Sequence, residues 1–102
     1  MQARGRGGAL PGRQDKPMDD ALIARYVEEE PDQPGPANAR LADSGVPIWA
    51  LIGYLRAAVN GDVAQAAADY RVPVEAVRAA VAYYERAGNR PLIDALIALN
   101  AA

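Results

Sequence analysis

Apolar residues recur through the middle of the chain with the period of an α-helix, in three short blocks separated by tight turns. In the first block, Pro47 to Val59, the residues Ile48, Leu51, Ile52, Leu55 and Val59 fall on one helical face. Pro47 suits a first turn, where its missing N–H would have no partner anyway. Asn60 and Gly61 end the block, because glycine takes up the left-handed conformation that a C-terminal cap needs. Asp62 opens a second block, with Val63, Ala66, Ala67 and Tyr70 on its inner face. Its carboxylate can accept from first-turn amides, and Gln65, three residues on, completes a capping-box pattern. Arg71, Val72 and Pro73 are too few to be anything but a turn. The third block then runs through Val77, Ala80, Val81 and Tyr84 to Gly88 and Asn89, with Val72 and Val77 spaced as a hydrophobic staple.

Two helices joined by a three-residue turn, the first short and alanine-rich, form the pattern of a helix-turn-helix. A plain helical bundle with no nucleic-acid role has the same corners. The fold expected is mainly α. A three-helix unit over residues 46–90 follows a short β-element and Pro/Gly-rich loop over residues 18–45, and an extra helix over residues 91–102 comes last.

Residues Ala21 to Val27 read two ways. Leu22, Ala24 and Tyr26 alternate as in a strand, while Leu22, Ile23, Tyr26 and Val27 would line a helix capped by Asp20. A strand is favoured for the second half, since Glu28, Glu29 and Glu30 would otherwise stand at the negative end of a helix. Asn38 to Leu41 supplies a short second strand. A two-stranded ribbon is barely stable alone, so it is expected to pair across a dimer or to lie on the bundle.

The last helix, Pro91 to Ala101, carries Leu92, Ile93, Leu96, Ile97 and Leu99 around most of its circumference. At about 2 kcal/mol for each large aliphatic side chain, leaving that surface in water would forfeit on the order of 10 kcal/mol. Leu92, Leu96 and Leu99 are expected to pack on the three-helix unit, leaving Ile93 and Ile97 for a second chain. The alternative is that both stripes belong to the core.

Charge and composition narrow the chemistry. The chain of 102 residues is one small domain with a marginal core of its own. It holds no cysteine and no histidine, which removes disulfides, thiolate metal sites and the usual general base. The net charge is −2, but Arg4, Arg6, Arg13 and Lys16 stand against Asp15 in residues 1–17, so the basic part is the Gly- and Pro-rich start, expected to be a disordered tail. That tail can be read as an arm on phosphate or as an ordinary leader. The longest apolar run falls far short of a membrane span and no secretory segment is evident, which points to the cytoplasm. The acidic run from Glu28 to Asp32 is a poor magnesium site, because neighbours on an extended segment face opposite ways. No catalytic constellation and no cofactor site is expected.

Pro34-Gly35-Pro36, Val46-Pro47-Ile48-Trp49, Tyr54-Leu55-Arg56-Ala57, Asp69-Tyr70 and Val77-Arg78-Ala79-Ala80-Val81-Ala82-Tyr83 together resemble the domain-of-unknown-function 433 family over roughly residues 22–86. Asp43, Ser44 and Gly45 stand where that family has Gly-Thr-Arg, and Pro73 stands where it has Ser or Thr, which loses a phosphate-contacting hydroxyl. The resemblance implies a homeodomain-like helix-turn-helix that acts as a VapB-type antitoxin: a homodimer on operator DNA, paired with a PIN-like ribonuclease toxin. On that reading the third helix of the unit is the recognition helix, with Arg71, Glu75, Arg78, Ala79, Ala82 and Arg86 outward. Arg78 is the candidate for a guanine edge, since a planar guanidinium can bond O6 and N7 together. Arg56, Arg71 and Arg86 are candidates for phosphates. Five arginines against Asp62, Asp69, Glu75 and Glu85 between Val46 and Arg90 make a single copy a weak binder, so two copies or a basic partner are expected. Trp49, Tyr54, Tyr83 and Tyr84 could stack on bases. Arg90, Leu92, Ile93, Leu96 and Ile97 are the candidates for occluding the toxin. A protein-binding module with no DNA role is the competing reading.

Overall fold

The computed structural model describes residues 11–101, with side chains from Met18 onward. Five helices and a two-stranded ribbon follow in the order α1 (Pro11–Tyr26), β1 (Val27–Glu28), β2 (Arg40–Leu41), α2 (Ile48–Ala57), α3 (Val63–Tyr70), α4 (Val74–Glu85) and α5 (Asn89–Ala101). The chain is mainly helical, as the periodicity predicts.

The turns form for the reasons visible in the residues. Pro47 sits at the N-cap of α2 without a side-chain cap. The orphan amide of Ile48 is taken instead by the carbonyl of Ala39 at 2.9 Å, so the approach to the ribbon does the capping. After α2, Asn60 and Gly61 both take positive φ, and the Gly61 amide returns to the Leu55 carbonyl at 2.7 Å. Asp62 accepts from the Gln65 amide at 3.0 Å. Only that half of the capping box closes, because the Gln65 side chain turns away to donate to Asp69 at 2.7 Å. Arg71 ends α3 in the left-handed conformation at φ 58°. Asn89 finishes α4 by donating from its side chain to the Tyr83 carbonyl at 2.8 Å, and it is also the first residue of α5.

The segment before the ribbon differs from expectation. Residues up to Tyr26 are helical and only Val27–Glu28 is strand. The helix also starts at Pro11, inside the stretch assigned to the basic tail; residues 1–10 lie outside the described residues. The helical stripe wins because Ile23 finds a buried place in the core, whereas a strand would have needed a neighbour to pair with. The acidic run still falls outside the helix. β1 and β2 pair antiparallel within the chain, Val27 opposite Leu41 and Glu28 opposite Arg40, so the ribbon lies on the bundle.

The core is one cluster. Ile48, Leu51, Ile52 and Leu55 of α2 meet Ala66 and Ala67 of α3, Val77, Ala80 and Tyr83 of α4, and Ile93 of α5. The four α2 residues are those that the spacing selected. On α4 the inner stripe is rotated from the one expected: Tyr83 is fully buried, while Val81 and Tyr84 lie half-buried at its edge. The cause is α1, which lies along α4 and closes over its far side.

Candidate functional site

The four arginines proposed for nucleic acid divide into two pairs. Arg71 and Arg78 are exposed and make no ion pair among the described residues. Arg78 stands at an open groove of about 380 Å³ between α1, α3 and α4, with Met18, Asp19, Leu22, Val63 and Glu85 around it. Arg71 borders a smaller groove with Tyr26, Ser44 and Pro73. Arg56 and Arg86 are already engaged. Arg86 bonds Asp20 of α1 at 3.1 Å. Arg56 bonds Asp94 of α5 at 2.7 Å, donates to the Tyr84 hydroxyl, and lies 5.0 Å from the centre of the Tyr84 ring.

The expected outward face of α4 is therefore partly wrong. Ala79 and Ala82 are buried, because α1 occupies the space that a DNA groove would need. Exposed on α4 are Glu75, Arg78 and Glu85, with Arg86 exposed just past its end, an edge of mixed sign.

Tyr84 is the centre of a junction of three helices. Arg56 comes from α2 and Asp94 from α5, and Arg90 of α5 lies 5.2 Å from the ring centre. The Tyr84 hydroxyl donates to Asp94 at 2.8 Å. The Arg56 guanidinium, with help from that hydroxyl, holds the Asp94 carboxyl below the usual carboxylate range. The same bond to Asp94 raises Arg56, which stays positive. Burial first, and the nearby Asp94 second, push the Tyr84 phenol up. This arrangement ties α5 to α2 and α4 and leaves Arg56 little freedom to reach a phosphate.

Two other tyrosines are held in similar fashion. Tyr54 packs edge-on to Tyr70, 5.0 Å between ring centres, and donates to Asp69 at 2.5 Å. That bond raises the phenol and lowers the carboxyl. Tyr83 is buried and donates to Glu29 at 2.6 Å; burial and then that carboxylate push its phenol well above the ordinary range. Of the three rings Tyr83 is buried, and Tyr54 and Tyr84 are half-buried. The acidic run is occupied in the same way: Glu28 and Glu30 pair with Arg40 at 3.4 and 3.2 Å. No group of three or more metal-ligating side chains gathers among the described residues.

On α5 the two stripes exchange the roles expected of them. Ile93 is fully buried, and Ile97 packs against Gly53 of α2 so closely that a Cβ there would lie 3.6 Å from it. Both belong to the core side. The open stripe is Leu92, Leu96 and Leu99, with Leu92 53% and Leu99 77% exposed and Leu96 half-buried. With Ile93 and Ile97 turned inward, Asp94 stands at the edge of the bundle within reach of Arg56. Asp20, Glu29 and Asp94 carry much of the polar architecture and were not singled out as partners in the sequence. The spacing of tyrosine and arginine from carboxylates far along the chain gives no local signal for such pairs.

Among the described residues no helix is long and apolar enough to cross a membrane. No family model, no curated protein and no solved structure matches the chain.

Proposed function

We propose that this chain is the antitoxin of a type II toxin–antitoxin pair, a cytoplasmic, non-catalytic protein that works by docking. In this reading α2, α3 and α4 form a homeodomain-like unit that binds operator DNA as a homodimer, and the dimer neutralises a PIN-like ribonuclease. The observation that carries it is α5. Ile93 and the Arg56–Asp94 bond anchor the helix rigidly, yet Leu92 and Leu99 face water, and such a row invites a companion polypeptide. The motif resemblance supports the toxin partner, and the guanidinium groups of Arg71 and Arg78, unpaired among the described residues, support a phosphate and base contact.

The test is to purify the chain with the nuclease encoded beside it. RNA cleavage is expected to be blocked by the chain, and an operator fragment is expected to be retained with an affinity that falls steeply with salt and falls further in Arg78→Ala. Nuclease activity unaffected by a molar excess of the chain would overturn the reading.

A second reading, an interaction module with no DNA role, is favoured by two observations. Helix α1 covers Ala79 and Ala82, and residues 18–101 hold seven arginines against twelve carboxylates. Absence of salt-dependent DNA binding even with the nuclease present would select it.

A further inference from the structure

The joint between α2 and α3 holds a chemically reactive pair. Asn60-Gly61 is the one Asn-Gly step in the sequence; Asn38, Asn89 and Asn100 precede alanine, arginine and alanine. Glycine matters there because it has no Cβ to crowd its own amide nitrogen, which can then approach the carbonyl of the preceding side chain. The side-chain amides differ in the same direction. Those of Asn38, Asn89 and Asn100 donate to the Gln33 side chain, the Tyr83 carbonyl and the Leu96 carbonyl at 3.2, 2.8 and 2.8 Å. Among the described residues no such bond holds the amide of Asn60, and both Asn60 and Gly61 are exposed.

The backbone of the pair is nevertheless closed. Asn60 and Gly61 have φ of 54° and 85°, left-handed values that asparagine and glycine tolerate best. In that turn the Gly61 N–H donates to the Leu55 carbonyl at 2.7 Å, and the Asp62 N–H donates to the Val59 carbonyl at 3.0 Å. Attack of the Gly61 nitrogen on the Asn60 side chain expels the very hydrogen that makes the first bond. The reaction and the closed turn therefore exclude each other.

We propose that Asn60-Gly61 is a self-modification site, held shut by the bond from Gly61 to Leu55 and reactive only in chains whose α2 end has opened. The Gly61 nitrogen gives its proton to hydroxide and bonds to Cγ of Asn60. The Cγ–Nδ2 bond breaks, Nδ2 takes a proton from water, and ammonia leaves. Water then opens the five-membered imide. Attack at Cγ leaves an aspartyl residue in the ordinary backbone, while attack at the backbone carbonyl carbon routes the chain through the side chain as isoaspartate, one methylene longer. Neither DNA nor a nuclease enters the reaction. The two products differ in what they do to the joint. The aspartyl form keeps every backbone atom and adds one carboxylate past the C-terminal end of α2, a mild cost at an exposed site. The isoaspartyl form displaces the Gly61 nitrogen from the Leu55 carbonyl, and with it Asp62, whose carboxylate caps α3 by accepting from the Gln65 amide at 3.0 Å. A chain marked in this way cannot rebuild the α2–α3 corner, so the opening leaves a permanent record.

Incubating the whole chain at mildly alkaline pH, folded or in guanidinium chloride, and mapping its peptides by mass reads the site directly. Labelling with a protein isoaspartyl methyltransferase and its methyl donor separates the two products. In denaturant Asn60 is expected to convert ahead of Asn38, Asn89 and Asn100, and Gly61→Ala is expected to remove that lead whether or not the variant folds. In the folded chain conversion of Asn60 is expected to be slower by about tenfold or more, the factor by which local opening limits a reaction of the open turn. Hydrogen exchange at the Gly61 amide should be slowed in step, since both processes need the Leu55 bond broken. Isoaspartyl chains, isolated by chromatography, are expected to unfold in less urea than Asn60→Asp, whose backbone is unaltered. Equal conversion of Asn60 in folded and denatured chains, or a Gly61 amide that exchanges as freely as in the unfolded chain, would remove the gate. Another asparagine leading in denaturant would remove the site, and isoaspartyl chains as stable as Asn60→Asp would remove its consequence; each overturns the proposal.

Discussion

Helices α4 and α5 are neighbours with opposite fates. The face of α4 expected to look outward carries the small residues Ala79 and Ala82 and is buried. The face of α5 expected to look inward carries Leu92 and Leu99 and is bare. Hydrophobicity alone would have ordered them the other way. What decides is the neighbour that reaches each face: α1 closes over α4 because two alanines leave room for a helix to approach, while nothing among the described residues reaches the leucines. Small residues thus mark where this chain packs on itself, and the leucines mark where it has surface to offer.

The sharpest way to break that contrast is to truncate one aliphatic side chain on each side of α5. Ile93→Ala is expected to lower stability to urea by about 2–5 kcal/mol, through lost transfer energy and the cavity left behind. Leu99→Ala, at 77% exposure, is expected to cost less than about 0.5 kcal/mol in the monomer. Since a small domain holds only roughly 5–15 kcal/mol in all, the first change takes a large share. Equal costs would show that α5 is rotated from the position described.

On α4 the informative change is enlargement. Ala79→Leu is expected to destabilise by about 1–3 kcal/mol, because a side chain is being forced between α1 and α4 where no space is left. On an outward recognition face the same substitution would be neutral in thermal or urea unfolding. A wild-type stability for Ala79→Leu would therefore restore α4 as an open reading helix.

Local order was legible in the sequence where it depends on nearest neighbours. The α2 stripe, the Asp62 cap and the Gly61 and Gly88 turns all rest on contacts a few residues apart, whereas the pairing of the second strand, with Val27 opposite Leu41, was left open between a dimer and the bundle. The rotation of α5 was not legible, since Ile93, Leu92, Ile97 and Leu96 are all apolar, and the contacts that distinguish them, of Ile97 with Gly53 and of Asp94 with Arg56, join residues about 40 positions apart. The same holds for the candidate site. Arg56 and Arg86 looked like phosphate ligands from composition, and it takes the fold to bring Asp94 and Asp20 against them. The coverage of α4 was hidden for a related reason: the stretch before the ribbon could be strand or helix, and only a helix reaches Ala79.

A smaller effect separates the two sides of α4 by pH. Tyr83 belongs to the buried side and donates to Glu29, and its phenol is raised above the ordinary value of 10.0. A group whose folded pKa is raised contributes stability that is complete below the unfolded value and is lost as pH rises past it. Stability is therefore expected to fall with alkali above about pH 10. In Tyr83→Phe that alkaline limb should flatten, at a cost of about 0.5–1.5 kcal/mol at neutral pH for the missing hydrogen bond. Acid acts through Asp94 in the opposite sense: its folded pKa is lowered, so its contribution is present above the ordinary carboxylate value and is lost as pH falls below it. An unchanged alkaline limb in Tyr83→Phe would place the titration elsewhere.

The smallest expected change bears most directly on what α4 is for. Arg71 holds φ at 58°, in the left-handed region where a side chain is crowded and glycine is not. If the residue there were needed only to end α3, Arg71→Gly should improve the turn, and a gain of up to about 1 kcal/mol in urea unfolding is expected once the extra freedom of glycine in the unfolded chain is set against the relieved crowding. The same substitution removes an exposed cation beside the N-terminus of α4. On the operator-binding reading the variant is thus more stable but binds DNA more weakly, with a salt dependence shallower by about one phosphate contact. On the reading without DNA it is more stable and loses nothing. A single variant then weighs the strain retained at Arg71 against the contact it would provide, and the sign of the binding change decides whether the uncovered edge of α4 reads nucleic acid or merely faces water.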